Sequence, residues 1–144
     1  MKVLELFAGT RSISKAFDAR GHQTFSVEWD RDFPNIDLYA DVLTVTPEMI
    51  LERFGRLDMI WASPDCTTYS IAAISHHRKR EPSGNLAPVS DYAKFCDRVN
   101  LHVYNLIMAL SPVVWFIENP RGGHAKDGFH ERITALYRYI LPVR

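Results

Sequence analysis

Short apolar runs alternate with helical patterns along the chain, and this alternation limits the possible folds more than any other feature. Five runs rich in β-branched and aromatic residues are bounded by Gly, Pro or polar residues, and they predict strands at 2–6, 23–28, 36–41, 57–62 and 113–118. Strands that alternate with helices form right-handed βαβ units, so the sheet is expected to be mostly parallel, with helices on both faces. The predicted fold is α/β and Rossmann-like.

Two short helices are predicted from their end signals. Ser12 is expected to cap a helix that ends near Gly21, because a Ser side chain can accept a hydrogen bond from the free N–H groups of the first turn. Thr46, followed by Pro47, begins a second helix that ends near Gly55.

The longest helix is predicted over 91–110 behind a Ser90 cap, because apolar residues recur there at intervals of three and four. Cys96 lies on this apolar stripe and is expected to be a buried core thiol.

A final helix is predicted over about 127–140. The segment 64–90 fits neither pattern and is predicted to be a long loop, of the kind that is usually functional or mobile.

The composition suits one globular domain without a strong charge bias. The chain has 144 residues, of which 47% are hydrophobic, and its 17 basic residues balance 17 acidic ones. Contact with nucleic acid would therefore need a local basic patch. The two cysteines form no C-x-x-C pair, and the chain shows neither a signal peptide nor a membrane-length apolar run, which predicts a cytoplasmic protein.

Small or polar residues follow each predicted strand, at the edge where open parallel sheets bind ligands. Gly9 would let the backbone approach a ligand, and Glu28, about 20 residues later, can accept hydrogen bonds from ribose hydroxyls. Trp29 can pack on an adenine face. A complete Gly-x-Gly-x-x-Gly pattern is missing, so a nucleoside without phosphates, such as S-adenosylmethionine, fits better than a dinucleotide.

Five motifs together resemble the DNA cytosine carbon-5 methyltransferases, especially the short phage-type members. In the family's order, and spanning nearly the whole chain, they are LELFAGTRSISKAF, VEWD, ADVLT, ASPDCTTYS and FIENPRGG. The resemblance implies an S-adenosylmethionine-dependent Rossmann-like fold in one bacterial or phage-encoded catalytic domain, 1–144. A cofactor half at 1–56 would precede the catalytic motifs and a mobile loop at 57–123, and a C-terminal helix at 124–144 would follow.

The resemblance also implies roles for individual residues. Cys66 would attack carbon 6 of a cytosine flipped out of the duplex, while Glu118 would hydrogen-bond ring nitrogen 3 and the exocyclic amine of the base. Asn119 completes this catalytic motif. Adding a thiolate to carbon 6 makes an enamine, which lets carbon 5 take a methyl group from a sulfonium. The residues that would hold the cofactor are Phe7, Ala8, Gly9, Thr10, Glu28, Trp29, Asp41 and Pro64.

A basic run at 76–80 predicts contacts with the phosphates of double-stranded DNA. The alternative interpretation is a solvated basic loop. No metal is expected, because the adjacent histidines of this run lack a Cys or carboxylate partner at ligand spacing. The residues expected to bind DNA are Ser70, His76, His77, Arg78, Lys79, Arg80 and Arg121.

The chain departs from the family pattern in two places. Asp65 stands where many members have Pro before the catalytic Cys. The family's later arginine motif, target-recognition region and final cofactor segment have no counterpart after FIENPRGG, so a C-terminally truncated fold is expected. Strand 113–118 would then be an apolar sheet edge, covered by self-association or by a further segment.

The residues leave three other functions open. An amino-group methyltransferase acting on adenine or cytosine would carry a second Pro and an aromatic residue after Ser63 and Pro64, where this chain has Asp and Cys. A catalytically silent module that binds the cofactor or DNA agrees with the missing C-terminal motifs. A nicotinamide-dependent oxidoreductase would need the phosphate-binding glycines that this chain lacks.

Overall fold

The computed structural model describes residues 1–118, which fall into two compact units. The first unit comprises residues 1–64 and 99–118, and the second comprises residues 65–98. The helices and strands, in chain order, are β1 (Lys2–Leu6), α1 (Ser12–Asp18), β2 (Gln23–Glu28), β3 (Leu38–Tyr39), α2 (Pro47–Phe54), β4 (Met59–Ala62), α3 (Ile74–His77), β5 (Arg78–Arg80), β6 (Leu86–Pro88), α4 (Asp91–Leu110) and β7 (Val114–Ile117).

The first unit contains a five-stranded parallel sheet. Its spatial order is β3-β2-β1-β4-β7, and each neighbouring pair runs parallel. The chain therefore moves in one direction from β1 to β3 and in the other from β4 to β7, which makes the boundary between β1 and β4 a topological switch point. This order confirms the predicted α/β class and is compatible with a Rossmann-like fold.

Strands β1 and β4 form the buried centre of this sheet. Val3 and Leu4 are consecutive in β1 and both are fully buried, as are Ile60 and Ala62 in β4. Because consecutive strand residues point to opposite faces, both faces of β1 are covered. Burial of each large aliphatic side chain stabilises the fold by about 1.5–3 kcal/mol.

A buried carboxylate satisfies the first turn of α1, and the predicted Ser12 cap is wrong. Ser12 is already the first helical residue, and Arg11 before it has a left-handed backbone (φ 59°) and makes no side-chain cap. The carboxylate of Glu5, which is 3% exposed, instead accepts hydrogen bonds from the N–H groups of Ile13 (3.2 Å) and Ser14 (2.8 Å). A negative charge at a helix N-terminus is favourable because the free N–H groups there carry partial positive charge.

The end signals of the other two helices are confirmed. The Thr46 hydroxyl accepts a hydrogen bond from the N–H of Met49 (3.3 Å) at the start of α2. The Ser90 hydroxyl does the same for Ala93 (3.1 Å) at the start of α4, whose bounds equal the predicted range. In both cases the capping side chain and the capped N–H belong to the same helix start, so the local sequence is sufficient to specify them.

The segment 64–90 is not the long loop that the sequence predicts. It contains a short 3₁₀ turn at Thr67–Tyr69, helix α3 and an antiparallel hairpin of β5 and β6. The hairpin strands are short, and one carries three basic residues while the other ends in Pro. They therefore lack the alternation of apolar and polar residues by which a strand is predicted.

Three predictions fall outside the described residues, namely the helix at 127–140 and the site residues Asn119 and Arg121. Within residues 1–118, no helix combines the length and apolar character needed to cross a membrane.

We expect Glu5→Gln to lower the free energy of unfolding by roughly 1.5–3 kcal/mol, because the variant removes the charge from two buried hydrogen bonds to the start of α1. Urea denaturation followed by circular dichroism measures the change. Ser12→Ala is the matched control and is expected to change stability by less than about 0.5 kcal/mol, because Ser12 is exposed. A larger loss in Ser12→Ala than in Glu5→Gln would contradict this account of the cap.

Candidate functional site

The carboxyl ends of the central strands meet at one edge of the first unit. The Ala8 N–H donates to the carbonyl of Val27 (3.1 Å), and the Ser63 N–H donates to the carbonyl of Leu6 (3.3 Å). The Glu118 N–H donates to the carbonyl of Ala62 (2.9 Å). These bonds continue the parallel ladders past the strand ends, so the predicted site residues Ala8 and Glu118 lie on this edge, on either side of the segment that begins at Ser63.

The loop after β1 has an unusual backbone. Phe7, Gly9 and Arg11 all have a positive φ, at 60°, 47° and 59°. Glycine adopts this conformation freely, whereas a residue with a side chain loses on the order of 1–3 kcal/mol. The Arg11 N–H closes the turn on the carbonyl of Ala8 (2.7 Å). Backbone strain of this kind is concentrated at ligand-binding sites, where the surrounding structure holds it in place.

Glu28 links the loop after β1 to the loop after β2. Its carboxylate, in a side chain that is 7% exposed, accepts hydrogen bonds from the N–H groups of Gly9 (2.9 Å), Trp29 (2.9 Å) and Asp30 (3.1 Å). A carboxylate offers about four acceptor positions, so these three bonds leave capacity for one further donor. The residue expected to bind a ribose therefore also sets the shape of the loop expected to bind the rest of the cofactor.

The remaining residues predicted to bind the cofactor differ in exposure. Trp29 is 69% exposed, so a face of its ring is accessible to a planar ligand. Asp41 is exposed, and its Oδ1 accepts a hydrogen bond from the N–H of Leu43 (2.9 Å) at the start of a 3₁₀ turn. Thr10 is also exposed, whereas Pro64 is buried.

Cys66 lies in the second unit, at the start of the turn Thr67–Tyr69. Its thiol is free and its side chain is half-buried. The Cys66 carbonyl accepts hydrogen bonds from the N–H groups of Tyr69 (3.0 Å) and Ser70 (3.1 Å), which fixes the backbone on its C-terminal side. On its N-terminal side, Asp65 accepts a hydrogen bond from the Thr67 N–H (2.7 Å) and another from the hydroxyl of Tyr92 in α4.

The hydrogen bond between Tyr92 and Asp65 lowers the pKa of Asp65 and raises the pKa of Tyr92. Burial by itself raises the pKa of Asp65, but hydrogen bonds from Thr67 and Tyr92 outweigh burial and hold this pKa below its ordinary value of 3.8. The pKa of Tyr92 is raised, chiefly because its hydroxyl donates to the Asp65 carboxylate. Asp65 is therefore ionised and Tyr92 neutral at physiological pH.

The basic run does not present all its residues to solvent. His76, Lys79 and Arg80 are exposed, and His77 is half-buried with Nδ1 2.8 Å from the Ser90 hydroxyl. Arg78, predicted to contact phosphate, has a side chain only 1% exposed and paired with Asp97. This placement is the opposite of the exposed position that a phosphate contact requires. Of the other predicted contacts, Ser70 is half-buried and Arg121 lies outside the described residues.

The sequence pattern does not identify the polar partners of Asp65 and of Arg78. Tyr92 lies in the predicted helix 91–110, where the periodicity gives it no polar role, yet its hydroxyl donates a hydrogen bond to Asp65. Asp97 lies outside the five motifs, and Thr68 lies in ASPDCTTYS without an assigned role, although both contact the buried Arg78. Periodicity reports which helix residues are apolar and gives no signal for a polar pair formed across a turn.

No cluster of three or more His, Cys, Asp or Glu side chains suited to a metal ion occurs among residues 1–118. Neither the models of protein families nor the curated proteins with which the sequence was compared give a match. The function is therefore inferred from the motifs and from the geometry of these residues.

We expect Tyr92→Phe to raise the pKa of Asp65, because the variant removes one of the hydrogen bonds that stabilise the ionised carboxylate. An NMR titration of the Asp65 carboxyl carbon measures this change. A lowered pKa in the folded state adds stability above the unfolded value, and this stability is lost as the pH falls through the folded pKa. The stability difference between the wild type and Tyr92→Phe should therefore shrink below about pH 3.8.

Tyr39→Phe is the control for this titration. It deletes the same group from a tyrosine whose hydroxyl donates to the Phe33 carbonyl (2.6 Å), away from Asp65. Its Asp65 pKa should equal that of the wild type. Equal Asp65 pKa values in the wild type and Tyr92→Phe would show that the hydrogen bond from Tyr92 does not influence this carboxylate.

Proposed function

We propose that the protein is a DNA methyltransferase that transfers a methyl group from S-adenosylmethionine to carbon 5 of cytosine, with Cys66 as the nucleophile. The observation that carries this proposal is the position of the motifs in the fold. FAGT and SPDC follow β1 and β4, VEWD spans the end of β2, and the acidic residue of FIEN follows β7. Strands β1 and β4 flank the topological switch point of the parallel sheet. Ligands bind at this place in open α/β sheets.

The residues at the ends of β1 and β2 fit a nucleoside cofactor. Glu28 is a nearly buried acceptor with capacity for a further donor, such as a ribose hydroxyl. Trp29 offers an accessible aromatic face for adenine, and the left-handed backbone at Gly9 allows close approach of the main chain. When bound, S-adenosylmethionine supplies the methyl group as part of an electrophilic sulfonium.

The chain's own chemistry centres on Cys66 and Glu118. The Cys66 thiolate forms a bond to carbon 6 of cytosine, and ring nitrogen 3 takes or shares the proton of Glu118, so carbon 5 becomes an enamine carbon that can accept the methyl group. Loss of the carbon 5 proton to solvent water, return of the nitrogen 3 proton to Glu118 and release of the thiolate then restore the aromatic base. Asn119 follows Glu118 in the motif and completes the proposed catalytic set.

DNA is proposed as the macromolecular partner, in a cytoplasmic setting. The whole chain has no net charge, so attraction to phosphates has to come from locally exposed cations. We assign this role to Lys79 and Arg80 of the basic run, near the exposed His76. Such contacts raise affinity for any DNA sequence, since phosphates carry no base information.

Covalent trapping tests the proposal directly. The protein is incubated with S-adenosylmethionine and duplex DNA that contains 5-fluorocytosine, in which fluorine replaces the proton that must leave carbon 5. We expect an adduct that resists denaturation, because the thiolate cannot then be released. Denaturing electrophoresis and peptide mass spectrometry locate the linked residue.

Two cysteine variants serve as controls for the trapping experiment. Cys66→Ser is expected to form no adduct, whereas Cys96→Ser should retain it, because Cys96 is 4% exposed and burial raises the pKa of its thiol. An adduct that persists in Cys66→Ser would refute the assigned nucleophile. Calorimetric binding of S-adenosylmethionine without any adduct would instead favour a catalytically silent cofactor-binding module.

Arg80→Ala is expected to weaken DNA binding about equally for all sequences and to reduce the slope of log affinity against log salt by about 1. The physical reason is that Arg80 is an exposed cation, so its loss removes one released counterion. Fluorescence anisotropy at several salt concentrations measures the slope. An unchanged slope would exclude Arg80 from phosphate contact.

A further inference from the structure

The guanidinium of Arg78 is buried and fully hydrogen-bonded within the second unit. Its Nε donates to the Thr68 carbonyl (3.1 Å) and its Nη2 to the Thr68 hydroxyl (3.1 Å). Nη2 and Nη1 also donate to the two carboxylate oxygens of Asp97 (2.5 and 3.2 Å), and Nη1 reaches the Leu86 carbonyl (3.5 Å). Since a guanidinium has five N–H groups, these contacts use all of them.

Tyr69 completes the cluster around Arg78. Its ring lies under the guanidinium, with 3.9 Å from Cζ to the ring centroid, and its hydroxyl donates to the Asp97 carboxylate (2.5 Å). Thr68 is fully buried. The turn that follows Cys66 is thus held to α4 through its side chains and its backbone, because Arg78 binds Thr68 and Asp97 at the same time.

Asp65 provides a second attachment on the other side of Cys66. It bonds Tyr92, which lies in α4 on the N-terminal side of Asp97. The residue before Cys66 and the turn after it are therefore both tied to the same helix. This arrangement restricts the backbone that carries the thiol more than either contact would alone.

A buried ion pair contributes little to stability compared with apolar side chains of similar volume, because removing two charges from water offsets their attraction. What an Arg ion pair adds is geometric specificity, because the N–H groups of the planar guanidinium point in fixed directions and so define where the acceptor atoms lie. A Lys at this position would keep the charge and lose that geometry. Of the residues that Arg78 contacts, Thr68 is the nearest to Cys66 along the chain.

We propose that Arg78 is a positioning residue for Cys66, acting through Thr68 and Asp97 on the turn that carries the thiol. This inference deepens the proposed function and rests on it where Cys66 is taken as the nucleophile. It also separates Arg78 from its neighbours Lys79 and Arg80 in the basic run, which are exposed and remain the candidates for phosphate contact.

The first test compares Arg78→Lys and Thr68→Val with the wild type in single-turnover adduct formation on 5-fluorocytosine DNA at saturating DNA concentration. Both variants are expected to lower the adduct rate by about 10- to 100-fold, because small displacements of a reacting group have effects of this size. The DNA dissociation constant should stay unchanged. Ser83→Ala, a change at an exposed position in the turn of the same hairpin, should change neither quantity.

A double-mutant cycle tests whether Arg78 acts through Thr68. If it does, the variant carrying both Arg78→Lys and Thr68→Val should lose no more rate than the slower single variant. Losses that simply multiply would show that the two residues act independently and would overturn the proposed route.

If Arg78→Lys does not fold, as judged by circular dichroism, a wild-type adduct rate in Thr68→Val overturns the proposal and a lowered rate supports it.

Alkylation of Cys66 gives a readout that does not depend on methyltransferase activity. Iodoacetamide labelling, resolved by peptide mass spectrometry across a pH series, should be faster in Arg78→Lys and Thr68→Val, because a released turn exposes a half-buried thiol. Thr46→Ala, which loses the cap of α2 in the first unit, controls for a general loss of stability and should label like the wild type.

The two kinds of failure can be told apart. If the wild type forms no adduct, the proposed function fails, and the labelling rates alone decide the positioning role. Faster labelling confined to Arg78→Lys and Thr68→Val supports that role. Equal labelling in all variants, or equally fast labelling in Thr46→Ala, overturns it.

Discussion

The parallel pairing of β1 with β4 is the interaction on which the rest of the candidate site depends. It places segments that are more than fifty residues apart side by side, with Leu6 opposite Ala62 at the end of the ladder. The same ladder continues into the loops, where Ser63 bonds Leu6 and Glu118 bonds Ala62. Since parallel strands end at the same edge, the residues that directly follow β1, β4 and β7 lie together at that edge of the first unit.

Buried charges then shape the loops that the sheet brings together. Glu5 satisfies the start of α1, Glu28 joins two loops through three N–H groups, and Arg78 joins a turn to a helix. In each case the charge is largely removed from water and is hydrogen-bonded, which is the condition under which such burial is tolerated. Glu5 and Glu28 bind backbone N–H groups, and Arg78 binds the Thr68 carbonyl, so all three residues act on the backbone.

The local sequence was sufficient to predict some elements and insufficient for others. The strands of the parallel sheet were predicted because both faces of its centre are covered, which leaves continuous apolar runs in the sequence. Helix α4 was predicted because its apolar stripe and its Ser90 cap lie within the same twenty residues. The hairpin of β5 and β6 was missed, since its strands have no apolar alternation and depend on contacts such as those of Arg78.

The sequence by itself determined the α/β class, the order of the parallel-sheet strands and of helices α1, α2 and α4, and the positions of the motifs. These follow from short-range periodicity and from residue types at strand and helix ends. Only the tertiary structure decided which charged residues face solvent. Arg78 and Arg80 are indistinguishable as letters in one basic run, yet one is buried against Asp97 and the other is exposed. That difference arises from a partner nineteen residues away along the chain, which no local pattern specifies.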